Sequence, residues 1–261
     1  MKYSLCLDPM FEGYDYYDKV KKAAETGYDG VEFWKVSEID PQKMRRVCGD
    51  CGVRVATFNC GGAWVYHLSS APKELLRNLE ENLAVARELD AEFVLLMSGN
   101  RLHTAPCQEN IIIENLKRAA PLAEKYGVKL LLEPLNSLVD HKGYFLDNSG
   151  TGYEIMKCVD SPYISLLFDL YHMQIMEGNL IASLTENLAY TGHLHIAGVP
   201  GRHEPFLGEI FCPAVLETVE WAGYQGFVGA EYFPTLESGE SAAKTLQYLK
   251  LREGRNNLWN Q

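Results

Sequence analysis

Four times in this chain a segment of helical period stops at a glycine and an apolar run begins. The joints are Thr26-Gly27-Tyr28, Cys51-Gly52-Val53, Tyr126-Gly127-Val128 and Ala222-Gly223-Tyr224. Glycine adopts the left-handed backbone in which a helix can end and turn back. One device reused along the chain implies one unit reused: a helix that feeds a strand. The runs that follow are short and almost continuously apolar, as expected of parallel strands covered on both faces. Parallel neighbours need crossover helices, so the pattern commits the chain to an α/β architecture.

Taken in order, the expected strands are residues 3–7, 29–33, 53–58, 92–97, 128–133, 163–168, 193–197 and 226–231. Between them the 3.6-residue period marks helices at 14–26, 41–51, from Pro72 through Ala86, 109–126, 152–159, 180–189, 213–222 and 241–252. Pro121 is expected to kink its helix. Residues 26–33 (TGYDGVEF) echo residues 222–233 (AGYQGFVGAEYF), like sister modules of one closed array. No linker or low-complexity segment interrupts the pattern. Residues 1–261 therefore read as a single (β/α)8 TIM-barrel domain, a fold of about 250 residues. An open doubly wound sheet is the alternative, but the chain lacks the G-x-G-x-x-G turn its nucleotide site would want. Residues 134–148 form the longest irregular connection, of the kind that serves as a lid or binding loop. The tail 255–259 is expected to dock on the barrel or on a neighbouring copy, which leaves a homo-oligomer open.

Composition excludes some partners. The net charge is −11, and no basic run exceeds Lys21-Lys22 or Arg45-Arg46. Nucleic acid is therefore not an expected partner, because its binders carry a basic face. No apolar run approaches the roughly 20 residues of a membrane span. Asp8 and Pro9 arrive before a signal-peptide core could form, so a cytoplasmic protein is expected. The seven cysteines are odd in number and scattered, which suggests reduced thiols. Cys48-Gly-Asp-Cys51 has redox spacing but closes a helix. A low-pKa thiol wants a helix start, so the pair reads as inert.

The chemistry gathers at strand ends. Glu133, Asp169, His195 and Glu231 terminate the fifth to eighth strands, and in such barrels the active site lies at that end. Neighbouring strands are about 4.8 Å apart, so four converging side chains could surround one cation. Three carboxylates and one imidazole suit Mg²⁺ or Mn²⁺ first, then Co²⁺. Without a metal the carboxylates would repel and one would hold a proton. His193 shares a strand face with His195 and reads as the deeper, structural member. Arg202, in the turn Val199-Pro-Gly-Arg-His-Glu-Pro205, has the shape for a bidentate grip on a carboxylate; His203 and Glu204 would support that turn. His172, three residues past Asp169, can reach the same ligand. Glu32 ends the second strand, as either a substrate contact or a structural hydrogen-bond partner. Asp8 and Asn59 follow strands and read first as turn residues; Asn59 joins Glu32, His172 and Arg202 in the candidate substrate-binding set. A metal flanked by Glu133 and Glu231 invites proton transfer beside a carbonyl: one carboxylate removes the proton and the other returns it to the neighbouring carbon.

Several runs resemble the hydroxypyruvate isomerase family of the xylose-isomerase-like barrel superfamily, which also holds the ketose 3-epimerases and endonuclease IV. They are Glu133-Pro-Leu-Asn136, Val139-Asp-His-Lys-Gly-Tyr144, Phe168-Asp-Leu-Tyr-His-Met-Gln174, Gly192-His193 with Ile196-Ala197, Pro200-Gly-Arg-His-Glu-Pro205 with Gly208-Glu-Ile210, and Gly229-Ala-Glu-Tyr232. The likeness is densest from residue 127 to 234. It implies a metal quartet at Glu133, Asp169, His195 and Glu231, acid/base roles for Glu133 and Glu231, and substrate contacts from His172 and Arg202. It implies a small-molecule substrate, a hydroxypyruvate-like or 2-oxo-tetronate-like acid. Endonuclease IV uses three metals and many more histidines, so repair activity is not expected. The chain departs from the family at His195, where hydroxypyruvate isomerases carry Gln and the epimerases carry His. It departs again at Cys60-Gly-Gly-Ala-Trp-Val-Tyr-His67, which lacks a charged, Gly-rich form. The rivals are a ketose 3-epimerase on a free sugar and a non-catalytic barrel that binds metal and sugar.

Overall fold

The helix–glycine–strand unit repeats until the sheet closes on itself. The computed structural model describes residues 1–102 and 107–251. Its strands are β1 (Lys2–Cys6), β2 (Gly30–Phe33), β3 (Arg54–Asn59), β4 (Phe93–Leu96), β5 (Lys129–Leu132), β6 (Ile164–Asp169), β7 (Thr191–Ile196) and β8 (Phe227–Ala230). They pair in parallel in sequence order, and β8 returns to β1. The barrel is thus the closed one, not the open sheet. Every residue of β2, β4 and β8 is buried, as strands inside a sleeve of helices must be. The two echoing segments flank β1: Ser4 pairs with Gly30 of β2 on one side and with Gly229 of β8 on the other.

The sleeve comprises α1 (Tyr16–Thr26), α2 (Pro41–Cys51), α3 (Pro72–Leu89), α4 (Gln108–Tyr126), α5 (Ser149–Val159), α6 (Leu170–Met176), α7 (Leu180–Glu186), α8 (Cys212–Trp221) and α9 (Ser238–Leu249). Gly27, Gly52 and Gly127 end their helices at φ 98°, 70° and 68°. Asp90 and Asp160 end α3 and α5 in the same left-handed region, at φ 56° and 49°. Asp tolerates that region through local hydrogen bonding. Pro121 lies inside α4, which continues past it.

The main departure from expectation is α6. It starts directly after β6, and Asp169 is its N-cap: the Tyr171 N–H donates to Asp169 Oδ1 at 2.7 Å. Leu170 to Met173 are all buried, so the segment shows no one-sided period for a sequence reading to find. The helix expected at 180–189 is α7 followed by a short 3₁₀ turn, Leu188–Tyr190. Residues 134–148 are tied to the barrel at both ends. Leu135, Tyr144 and Leu146 are buried, and the Tyr144 hydroxyl accepts from Ser98 N–H and donates to Glu133 O. The tail at 255–259 and the last residue of the expected closing helix lie outside the described residues. Among the described residues no helix is long and apolar enough to cross a membrane.

Candidate active site

Register brings the predicted side chains together. Asp169 of β6 and His195 of β7 are direct partners across the sheet, and His195 lies beside Gly229 of β8. Glu133 and Glu231 each stand one residue past their strands. One donor atom from each of Glu133, Asp169, His195 and Glu231 falls within 4.8 Å of the other three. Donors about 2.1–2.5 Å from one cation would be that close. All four residues are buried, the most exposed being Glu231 at 7%.

Three of these residues carry a buried polar atom with no hydrogen-bond partner: Glu133 Oε1, Asp169 Oδ2 and His195 Nδ1. His195 Nδ1 lies 3.1 Å from Glu231 Oε2 and 3.6 Å from Glu133 Oε1. Buried polar atoms without partners are costly, and three from one cluster make a group that could hold an ion. The donor set fits a hard or borderline dication.

The charges divide the carboxylates. Burial raises Asp169 to about 7, against an opposing pull from Arg202. Burial also raises Glu133, offset only in part by His195. The protein without a dication thus holds a proton among these groups, as clustered carboxylates must. Glu231 goes the other way. Burial alone would raise it, but Arg202, His195 and the Trp34 N–H outweigh that and hold it well below the usual carboxylate range. Arg202 Nη2 donates to Glu231 Oε2 at 2.7 Å, and Trp34 Nε1–H donates to Glu231 Oε1.

Arg202 is not an exposed surface ion pair. Its side chain is 13% exposed, its Nε is buried without a partner, and its guanidinium lies 5.5 Å from the Tyr171 ring centroid. The backbone there is left-handed, with φ 56°. Glu204, expected to support the turn, is buried and accepts from Thr235 N–H, Leu236 N–H and the Ser241 and Thr235 hydroxyls. It ties the Arg202 turn to the segment after Glu231.

His172 has no exposed surface. Its Nδ1 accepts from Asn136 Nδ2 at 2.7 Å and from Asn136 N–H at 3.2 Å. Its Nε2 has no hydrogen bond and lies 3.5 Å from Asp169 Oδ2. Burial, then Arg202 and His141, push its pKa well below the ordinary value, so the ring is neutral. Of the two readings of Glu32, the geometry is that of the hydrogen-bond partner. Its Oε1 meets His193 Nε2 at 2.9 Å, its Oε2 meets His195 Nε2 at 2.7 Å, and it accepts from the Ser4 hydroxyl. It is 2% exposed and lines no part of the cavity above. Asn59, the last residue of β3, does line that cavity.

The cavity holds about 410 Å³ and is walled by Trp34, Asn59, Trp64, Met97, His141 and Leu135, above Glu133, Glu231 and Arg202. Trp64 stacks on His141 with centroids 5.6 Å apart and rings 15° from parallel. Sequence reasoning gave no role to Trp34 or His141. The available signals were that Trp34 directly follows the second strand and that His141 sits in the long loop. The cysteines 48 and 51 lie far along α2; burial pushes the Cys48 thiol up to about 12, as an inert thiol should behave.

Comparison with known proteins agrees with the closed barrel. The family model described as xylose isomerase-like TIM barrel matches residues 20–252. The 2-oxo-tetronate isomerase of Cupriavidus necator is 32% identical over 97% of this chain and 99% of its own length. The hydroxypyruvate isomerase of Escherichia coli is 29% identical over 92% of this chain and 96% of its own. Among solved structures, an AP endonuclease, family 2, from Brucella melitensis superposes with a TM-score of 0.86 at 30% identity, covering 95% of this chain and 99% of that one.

Proposed function

Because this chain belongs to the xylose isomerase-like TIM barrel family, we propose that it is a divalent-metal-dependent isomerase of a small hydroxy-carbonyl acid, hydroxypyruvate-like or 2-oxo-tetronate-like. The observation that carries the reading is the convergence of Glu133 Oε1, Asp169 Oδ2 and His195 Nδ1, buried and unpartnered, beside Glu231. Relatives named for those two acids, matched along nearly their whole length, support the substrate class.

Glu133, Asp169, His195 and Glu231 would hold the dication, Mg²⁺ or Mn²⁺. When bound it supplies electrostatic stabilisation of the oxygens that gain charge as the proton leaves. Glu231, kept ionised by Arg202 and Trp34, is suited to take the proton from the carbon beside the carbonyl. Glu133, whose burial favours the protonated form, is suited to return one to the neighbouring carbon. Two carboxylates driven apart in pKa by their surroundings divide acid from base. Arg202 spends Nη2 on Glu231, so a substrate carboxylate would be gripped by its other hydrogens. Asn59, His141 and Trp64 would line the substrate's flank, and His172 would orient Asp169.

One observation favours a second reading. Because Arg202 is already paired with Glu231, a free ketose would need less of the guanidinium than an acid, as in a 3-epimerase. The test is a screen of small keto acids and ketoses with Mn²⁺ in deuterated water, read by NMR for label beside the carbonyl. Exchange on acids, lost in Arg202→Ala, supports the isomerase. Exchange on ketoses alone, kept in Arg202→Ala, moves the reading to the epimerase. Binding with no exchange anywhere leaves a non-catalytic barrel and sinks both.

A further inference from the structure

Directly behind the four-donor centre lies a further buried carboxylate, that of Glu32, 2.7 Å from His195 Nε2. We propose that Glu32 is a positioning residue that fixes the tautomer and plane of His195, so that Nδ1 and not Nε2 presents its lone pair to the dication. The inference rests on the quartet being a dication site.

Ionised carboxylate oxygens only accept. The protons on the two short contacts, 2.7 Å to His195 Nε2 and 2.9 Å to His193 Nε2, therefore belong to the rings. An imidazole with its proton on Nε2 has its lone pair on Nδ1, and His195 Nδ1 is the atom that faces Glu133 and Glu231. Glu32 is itself held still. His193, with no exposed surface, binds its other oxygen, and the Ser4 hydroxyl donates to that same oxygen. Those two donors fill Oε1, which leaves Oε2 to His195.

The barrel wall leaves room for this arrangement at one residue. A Cβ on Gly229 would stand 2.7 Å from His195 Cδ2 and would collide with Glu32 Oε1. The His193 ring packs edge-on against His195, centroids 5.0 Å apart at 82°, which blocks rotation from below. Three strands, β1, β2 and β7, thus set one nitrogen lone pair. Outer partners of this kind typically change metal affinity about 10–100-fold when lost.

Glu32→Gln tests it. Glutamine offers its carbonyl oxygen to one ring and its NH₂ to the other, yet both rings need an acceptor, so one ring must shift its proton to Nδ1. Titration with Mn²⁺ alone, following free Mn²⁺ by electron paramagnetic resonance, should show the dissociation constant rising about 10–100-fold. Equal affinity in wild type and Glu32→Gln overturns the inference and leaves the quartet reading standing. Wild type with no Mn²⁺ affinity overturns both. A second measurement needs no variant: imidazole ¹⁵N spectra of the Mg²⁺-loaded protein should show His195 protonated at Nε2. A proton at Nδ1 overturns the proposal, whether or not Glu32→Gln folds.

Discussion

The hollow at the N-terminal mouth of the barrel is larger than the one at the C-terminal mouth, about 600 against about 410 Å³. Its lining includes Glu92, Lys129, Asp160, Thr191 and Gln225, so it is not short of polar groups. Those groups differ from the ones at the other mouth in what they are paired with. Lys129 and Asp160 stand in water, and Glu92 meets Arg54 at 3.9 Å on a half-exposed surface. Among the described residues, no side chain lining the larger hollow has a buried polar atom lacking a partner. At the smaller one, Glu133 and Arg202 do, and Asp169 and His195 beneath them do too. Size shows where solvent can enter; unpaired buried atoms gathered in one cluster show where a ligand would be held. Charge at the N-terminal mouth is hydrated already, while charge at the C-terminal mouth has given up its water for one another and for whatever they bind.

The sharpest way to break that contrast is Glu231→Gln. It removes the proposed base and the partner of Arg202 together, so substrate C–H exchange measured by NMR should fall about 10²–10⁴-fold. Exchange within a factor of a few of wild type would mean that the unpaired atoms do not mark the chemistry. A pH experiment comes next. Asp169 sits near 7 in the folded chain against about 3.9 in an unfolded one. Between those values the metal-free native state binds more protons than the unfolded state, so this group's contribution to stability falls as pH rises through them. A dication needs the carboxylate ionised. The rise in Tm caused by Mn²⁺ should therefore be larger at about pH 7.5 than at about pH 5.5, and a larger rise at the lower pH contradicts the site. Trp34→Phe should act more gently. It removes one hydrogen bond to a charged group, about 1.5–3 kcal/mol, so turnover should drop roughly 10–100-fold with Mn²⁺ affinity little changed. An unaltered rate would make the indole N–H a bystander.

The sequence made much of this legible, for a physical reason in each case. Several strands showed because they are buried on both faces and so carry nearly continuous apolar runs. The quartet showed because strand ends and chain order put Asp169 beside His195 without any need of distances. Helix stops at Asp90 and Asp160 were less visible, since Asp is left-handed by local hydrogen bonding and not by lack of a side chain. Helix α6 was hidden because its buried residues do not follow one face. Glu32 stayed ambiguous because what decides it, His193 and His195, stands 161 and 163 residues away. Trp34 depends on the same closure: its indole reaches Glu231 only because β8 returns to β1.

The gentlest test is aimed at the larger hollow. Lys129 begins β5 with its side chain in solvent, beside the N-terminal mouth, and among the described residues its ammonium holds no buried group. Lys129→Ala should leave label exchange and Mn²⁺ affinity unchanged and shift stability by no more than about 0.5 kcal/mol, the usual range for surface changes. The measurement is worth making because a null result is informative here. Both mouths are capped by the same strands, so a substitution that strained β5 from below would reach Glu133 at its other end. An unchanged enzyme would show that the barrel wall insulates the two hollows. A loss of exchange would show that Glu133 is set by the whole length of its strand and not by the groups around it.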